Sequence, residues 1–146
     1  MARTRAGTKY RGRQYRSKFE VRIAQQLYDM KCKFTYEAKS YPYLDPIARA
    51  RCNECNSKEV YVSRMYTPDF FLSNGCIIEA KGKLDAQQRK KLLAVQKCNP
   101  DLDVHILFMR DNKISSQSKT RYMEWATKHG FKCAVSTIPK GWMKNV

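Results

Sequence analysis

The stretch from Thr67 to Lys81 constrains the fold more than any other part of the chain. Two apolar runs, Asp69-Phe70-Phe71-Leu72 and Cys76-Ile77-Ile78-Glu79-Ala80-Lys81, meet at Ser73-Asn74-Gly75. Runs this short, rich in β-branched and aromatic residues, read as strands. A polar link ending in glycine reads as a hairpin loop, because Gly75 accepts the positive φ that such a loop needs. With a three-residue loop, Leu72 faces Cys76, Phe70 faces Ile78 and Asp69 faces Glu79. Directly opposed side chains have Cβ atoms about 5 Å apart, so the two carboxylates are close enough to share one cation, and without one they would repel. Lys81, two residues beyond Glu79, projects from the same face.

The surroundings of the hairpin set the fold class. Phe19, Ile23, Leu27 and Met30 recur at helical spacing behind a Ser17/Glu20 capping box, which predicts a helix from about Lys18 to Cys32. Residues 33–38 alternate as a strand, and residues 41–44 form a second short extended piece. Regularity then lapses over 45–59, a segment that contains Cys52-x-x-Cys55, before strand-like residues return at Val60-Tyr61-Val62. After Gly82 the pattern predicts a helix over 85–97, a strand over 104–109, a helix over 119–129 and a strand over 131–135. Strand, helix, strand implies a parallel pair joined by a right-handed crossover. The expected architecture is mixed α/β, with a central mixed sheet flanked by helices. A single domain spans residues 17–146, with a Cys-containing insertion at about 45–59, and a flexible basic arm precedes it over residues 1–16.

Charge narrows the class of partner. Twenty-nine Lys and Arg against thirteen Asp and Glu leave +16, an excess that makes a polyanion the default partner. The basic residues are spread over the arm, the middle and the C-terminal third, which favours nucleic acid over a membrane surface. No apolar run approaches the roughly 20 residues of a membrane span, and no apolar core follows the charges of the N-terminus, so neither membrane insertion nor export is expected. Nothing points to a small-molecule substrate. The six cysteines (Cys32, Cys52, Cys55, Cys76, Cys98, Cys133) are expected to be reduced thiols in a cytosolic compartment.

Hydrolysis of a phosphodiester needs an activated water, neutralisation of charge on phosphorus and help for the departing 3′ oxygen. Carboxylate-held Mg²⁺ or Mn²⁺, one or two per site, meets most of this demand, and oxygen ligands without a nearby histidine favour those hard cations over zinc. Lys81 either handles the water's proton or stabilises charge on phosphorus. Singly, Asp69 reads as a turn residue after Pro68, and Glu79 with Lys81 as a solvated strand face. Together, Pro68-Asp69, the apolar flanks, the nine-residue gap and Glu79-x-Lys81 reproduce the PD-(D/E)xK nuclease signature.

The resemblance extends further. Tyr15-Arg16-Ser17-x-x-Glu20, Phe34-x-Tyr36-Glu37, Pro42-Tyr43, Tyr66-Thr67-Pro68-Asp69-Phe70, Asn74-Gly75, Glu79-x-Lys81-Gly82, Arg89-Lys90-Lys91 and Ile138-Pro139-x-x-Trp142 occur in this order. Over most of residues 9–142 the chain resembles the phage endonuclease I family of four-way (Holliday) junction resolvases. That resemblance implies a restriction-endonuclease-like core in a domain-swapped homodimer, acting on branched DNA in the cytoplasm of an infected host cell. It implies an active-site set of Glu20, Asp69, Glu79 and Lys81, with the Ala80 main-chain carbonyl as an extra metal ligand and Glu20 coming from the chain opposite the other three. Read by its position alone, Glu20 is simply the N3 residue of a capping box.

The chain departs from the family at two places. Thr35 stands where the family's prototype has an acidic residue, so a fifth carboxylate is absent or moved to Glu37. The segment with Cys52 and Cys55 lies where the family's bridging strand is expected. These two thiols are half of a zinc site, which two protomers would complete, or else they belong to a loop that binds nothing. Residues placed to track phosphates are Arg3, Arg5, Lys9, Arg11, Arg13 and Arg16 on the arm, and Lys83, Arg89, Lys90 and Lys91 after the hairpin. The alternatives are a PD-(D/E)xK nuclease of another specificity, such as mismatch or sequence-specific nicking, and a non-catalytic basic protein that coats DNA.

Overall fold

The computed structural model describes residues 7–47 and 51–144. Its centre is a five-stranded sheet in the order β3-β6-β7-β8-β9, comprising β3 (Phe34–Tyr36), β6 (Phe70–Leu72), β7 (Ile77–Lys81), β8 (Val104–Phe108) and β9 (Lys132–Val135). The first three strands run antiparallel and the last three parallel, so the sheet is mixed, as expected. The β6–β7 hairpin pairs Phe70 with Ile78 and Phe71 with Ile77, which is the register read from the sequence, and Gly75 has φ +88°.

Strand alternation gives the sheet two apolar faces, and each is covered. On one side α1 (Lys18–Asp29) lays Phe19, Ile23, Ala24 and Leu27 against Phe70, Ile78 and Leu107. On the other, α2 (Ala86–Cys98) and α3 (Tyr122–Lys128) pack Leu92, Tyr122 and Trp125 onto Ile77, Ile106 and Phe108. Fully burying each such side chain contributes roughly 1.5–3 kcal/mol before chain entropy is counted. Among the described residues, no helix is long and apolar enough to cross a membrane.

Four elements differ from the sequence expectation. Helix α1 ends at Asp29 rather than near Cys32, because Lys31 adopts φ +54° and the Lys31 and Cys32 amides fold back onto the carbonyls of Tyr28 and Leu27. This is a Schellman stop with lysine where glycine is usual, so it carried no sequence signal. Helix α3 starts at Tyr122, since a bridge between Lys113 and Arg121 keeps the preceding residues extended, and Asp111 Oδ1 caps the Met123 amide from eleven residues before α3 begins.

The expected flexible arm is ordered in its second half. β1 (Lys9–Tyr10) and β2 (Arg13–Gln14) form a small hairpin, and Tyr15 buries itself beside Tyr36 and Phe70. Arg3 and Arg5 lie outside the described residues. The irregular segment after residue 44 is shorter than expected. β4 (Tyr41–Pro46) pairs along its whole length with β5 (Tyr61–Tyr66), from Tyr41 with Tyr66 to Pro46 with Tyr61. Cys52 and Cys55 sit in the turn beyond, where the Asn56 amide donates to the Cys52 carbonyl at 2.9 Å. Tyr43 and Tyr66 pack the inner face of this second hairpin onto Val95 of α2.

Candidate active site

Four elements converge at the C-terminal end of β7. β7 brings Glu79 and Lys81, the start of β6 brings Asp69, the first turn of α1 brings Glu20, and the end of β5 brings Tyr66. Strand periodicity puts Glu79 and Lys81 on one face, and the Lys81 ammonium lies 2.9 Å from Glu79 Oε1. Glu79 Oε2 accepts a hydrogen bond from the Tyr66 hydroxyl at 2.7 Å, and Lys81 Nζ donates to Gln88 Oε1 of α2 at 3.0 Å. Asp69 Oδ2 accepts from the Ala80 amide at 2.8 Å, which pins the first carboxylate against the strand that carries the second.

The carboxylates are buried, and Lys81 is partly so. Asp69 is 9%, Glu79 5% and Glu20 7% exposed, an unusual condition for acidic side chains and one that needs paired charge or hydrogen bonds. Burial, then the facing Glu79, raise the Asp69 carboxyl to about 8, against the opposing pull of the Ala80 amide and of Lys81. At Lys81, burial works against the ammonium, yet contact with Glu79 outweighs it and holds the group above its ordinary value. Burial also drives the Tyr66 hydroxyl far up, keeping it a donor to Glu79. With both carboxylates ionised the cluster has more negative charge than its one ammonium offsets, which is why the Asp69 carboxyl rises. The donor set is hard oxygen with no imidazole in it, so it fits a hard divalent cation such as Mg²⁺ or Mn²⁺.

Glu20 plays two parts. Its amide donates to the N-cap hydroxyl oxygen, Ser17 Oγ, at 3.1 Å, as a capping box requires. Its carboxylate accepts from Ser17 Oγ and the Arg16 amide at 3.1 Å each, and from the Tyr36 hydroxyl at 2.5 Å. Its charge reaches Asp69 and adds to the rise of that carboxyl. Glu20 therefore stands with Asp69 within one chain here. A cleft of about 580 Å³ opens beside it, lined by Ser17, Glu20, Arg22, Ala80, Gly82 and Met109. Thr35 is exposed on β3, and the nearby Glu37 carboxylate is held by Arg16 at 2.6 Å.

The basic candidates divide by what they touch. Lys9 and Arg13 are exposed on the small hairpin, and the Arg11 guanidinium lies 4.4 Å over the Tyr28 ring. Lys83 is exposed, 3.7 Å from Asp85. One amino group of Arg89 donates to the carbonyls of Leu84 and Ile114, bracing α2 against the loop that follows β8. Lys90 donates to the Pro46 carbonyl at 2.6 Å, and Lys91 lies over the Tyr66 ring. Tyr36, Tyr66 and Gln88 were not anticipated from sequence. Tyr66 stood next to the motif and was a fair candidate, whereas Gln88 reaches Lys81 only through the crossover that packs α2 on the sheet.

Fold and site together define a strongly basic α/β protein whose central strand gathers buried acidic groups and a lysine at its C-terminal end. Sequence comparison supplies the lineage. The family profile described as Phage endonuclease I matches residues 1–146. Endodeoxyribonuclease 1 of Enterobacteria phage T3 is 36% identical over 134 residues, covering 91% of this chain and 79% of that protein. Endonuclease I of Escherichia phage T7 is 35% identical over 131 residues, covering 89% and 78%. The chain belongs to the phage endonuclease I family.

Proposed function

We propose that the chain is a metal-dependent endodeoxyribonuclease that resolves four-way and other branched DNA junctions by paired nicks. Membership in an endonuclease family supports the nuclease, and the names of both relatives support DNA as its substrate. The observation that carries the reading is the buried cluster of Asp69, Glu79 and Lys81, with Glu20 alongside.

Asp69 and Glu79, with the Ala80 carbonyl, would hold Mg²⁺ or Mn²⁺, one or two per site. When bound, the cation supplies a water acidic enough to attack and neutralises charge on the phosphate. Tyr66 fixes the Glu79 rotamer and leaves Oε1 turned toward Lys81. Glu79 holds the Lys81 ammonium in its charged form and Gln88 accepts one of its protons, which suits the ammonium to stabilise charge developing on phosphorus. Glu20 orients groups at the cleft mouth through its own carboxylate.

A junction needs two symmetric cuts, and a two-fold homodimer provides two sites. The arrangement we favour is a restriction-endonuclease-like core exchanged between protomers at the β4–β5 hairpin, so that the approach of Glu20 to Asp69 found within one chain would be made across the two chains of the dimer. The exposed apolar residues Leu44, Ile47, Tyr61 and Met65 on that hairpin support a buried partner surface. The expected place of action is the cytoplasm of an infected host cell.

A synthetic four-way junction and a linear duplex of equal length, each incubated with Mg²⁺, Mn²⁺, Ca²⁺ or chelator, test the reading on one gel. The expected result is paired nicks in the junction with Mg²⁺ or Mn²⁺, slower cutting of the duplex, and retained binding without cutting in Asp69→Ala. Cutting that survives Asp69→Ala overturns the reading.

A further inference from the structure

A second group of ligating side chains lies at the opposite pole of the sheet. Cys76 immediately precedes β7, Asp103 immediately precedes β8, and His105 is the second residue of β8. The β7–β8 ladder pairs Ile78 with His105, and the Ile77 amide donates to the Asp103 carbonyl at 3.0 Å, so Cys76, Asp103 and His105 share one face of adjacent strands. Cys76 Sγ, an Asp103 carboxylate oxygen and a His105 ring nitrogen all lie within 4.8 Å of one another. Cys76 and Lys81 are five steps apart along the chain, roughly 16 Å of strand.

His105 makes the group more than a coincidence of side chains. It is 3% exposed, and neither ring nitrogen has an aligned hydrogen-bond partner. Nε2 is 2.9 Å from Asp103 Oδ1, but the contact is out of line for a ring N–H. A buried imidazole without an aligned partner is costly, and a ring nitrogen gathered with a carboxylate oxygen and a thiol within 4.8 Å of one another is a ligand set that a cation would satisfy. Trp142 closes the site edge-on to the His105 ring at 4.7 Å, while the Asp103 side chain stays half exposed and gives an entry path. Lys132 Nζ, 3.6 Å from Asp103 Oδ1, is the cation a metal would compete with.

We propose that Cys76, Asp103 and His105 form a site for a borderline-soft divalent cation, Zn²⁺ or Co²⁺, with water at the fourth position. Sulfur, imidazole and carboxylate are the tetrahedral donor set of zinc, and ligand atoms in such a site sit about 3.5 Å apart, within reach of small rotations here. Binding displaces the Cys76 thiol proton to solvent and ties the N-terminal ends of β7 and β8 together. The site is independent of the nuclease site and of the Cys52/Cys55 turn.

Co²⁺ titration of the full chain carrying Cys52→Ser and Cys55→Ser, which removes the competing thiol pair, tests this directly. One equivalent of Co²⁺ should produce a thiolate charge-transfer band with tetrahedral ligand-field absorption. Zn²⁺ should abolish the signal and raise the melting temperature in proportion to the logarithm of free metal. Cys76→Ala should remove the band. Asp103→Asn, at a half-exposed position that leaves the core intact, should weaken Co²⁺ binding at least tenfold and decides the matter if Cys76→Ala does not fold. Absence of the band in the Cys52→Ser/Cys55→Ser chain, or unchanged binding in Asp103→Asn, overturns the proposal.

Discussion

The Tyr66 hydroxyl donates to Glu79 Oε2 at 2.7 Å, joining the last residue of one hairpin to the central carboxylate of another. Tyr66 is 1% exposed, so its bond replaces hydration that Glu79 has lost. Tyr66→Phe keeps the ring packed on Val95 and removes only the donor. The expected outcome is a folded protein whose half-saturating Mg²⁺ concentration in the junction assay rises about 10-fold, the low end for loss of a group that orients a metal ligand. An unchanged Mg²⁺ dependence would show that Glu79 needs no such support.

Asp69→Asn removes a carboxyl that is costly to ionise beside Glu79. In the absence of metal the substitution should stabilise the protein by about 1 kcal/mol and abolish cutting, measured by thermal melting and by the junction gel. The sign with pH is fixed by the raised Asp69 carboxyl. A carboxyl whose folded value exceeds its unfolded one favours folding while it is protonated and loses that contribution as pH rises toward 8. The gain from Asp69→Asn should therefore be small at acid pH and largest in alkaline buffer.

Lys81→Met and Gln88→Ala separate a charge from its support. Loss of the ammonium should lower the cleavage rate roughly 10²–10³-fold at saturating metal, as for removal of a group aimed at developing charge. Gln88→Ala leaves the ammonium on Glu79 and should cost about 10-fold, recoverable in Gln88→Glu. Single-turnover rates distinguish the two.

Gly75→Ala tests the loop. Gly75 has φ +88°, and open space surrounds the position a Cβ would occupy, so backbone strain alone should lower stability by about 1 kcal/mol while junction binding persists.

The hairpin and its facing carboxylates were legible because they rest on local rules: alternation, loop length and one glycine. The crossover was legible for the same reason. What escaped depended on residues distant in sequence. Lys31 ends α1 without a glycine signal, Asp111 caps α3 from across a loop, and Gln88 meets Lys81 only once α2 lies on the sheet. The order in residues 9–16 depends on Tyr15 finding Tyr36 and Phe70, contacts that a charge count cannot foresee. Arg89 looked like one more surface cation, because nothing local shows that two carbonyls await it.

Asn74, at the tip of the β6–β7 loop, donates to the carbonyls of Trp142 and Lys144 at 3.0 and 2.9 Å. The loop that sets the register of the two carboxylates is thus fastened to the far end of the polypeptide. A slip of one residue would turn Glu79 to the opposite face and scatter the cluster. The C-terminal segment works as a guy-rope on that register, so trimming the chain back to Gly141 should loosen the packing of Trp142 on His105 and, through the freed loop, the alignment at the other end of the strands.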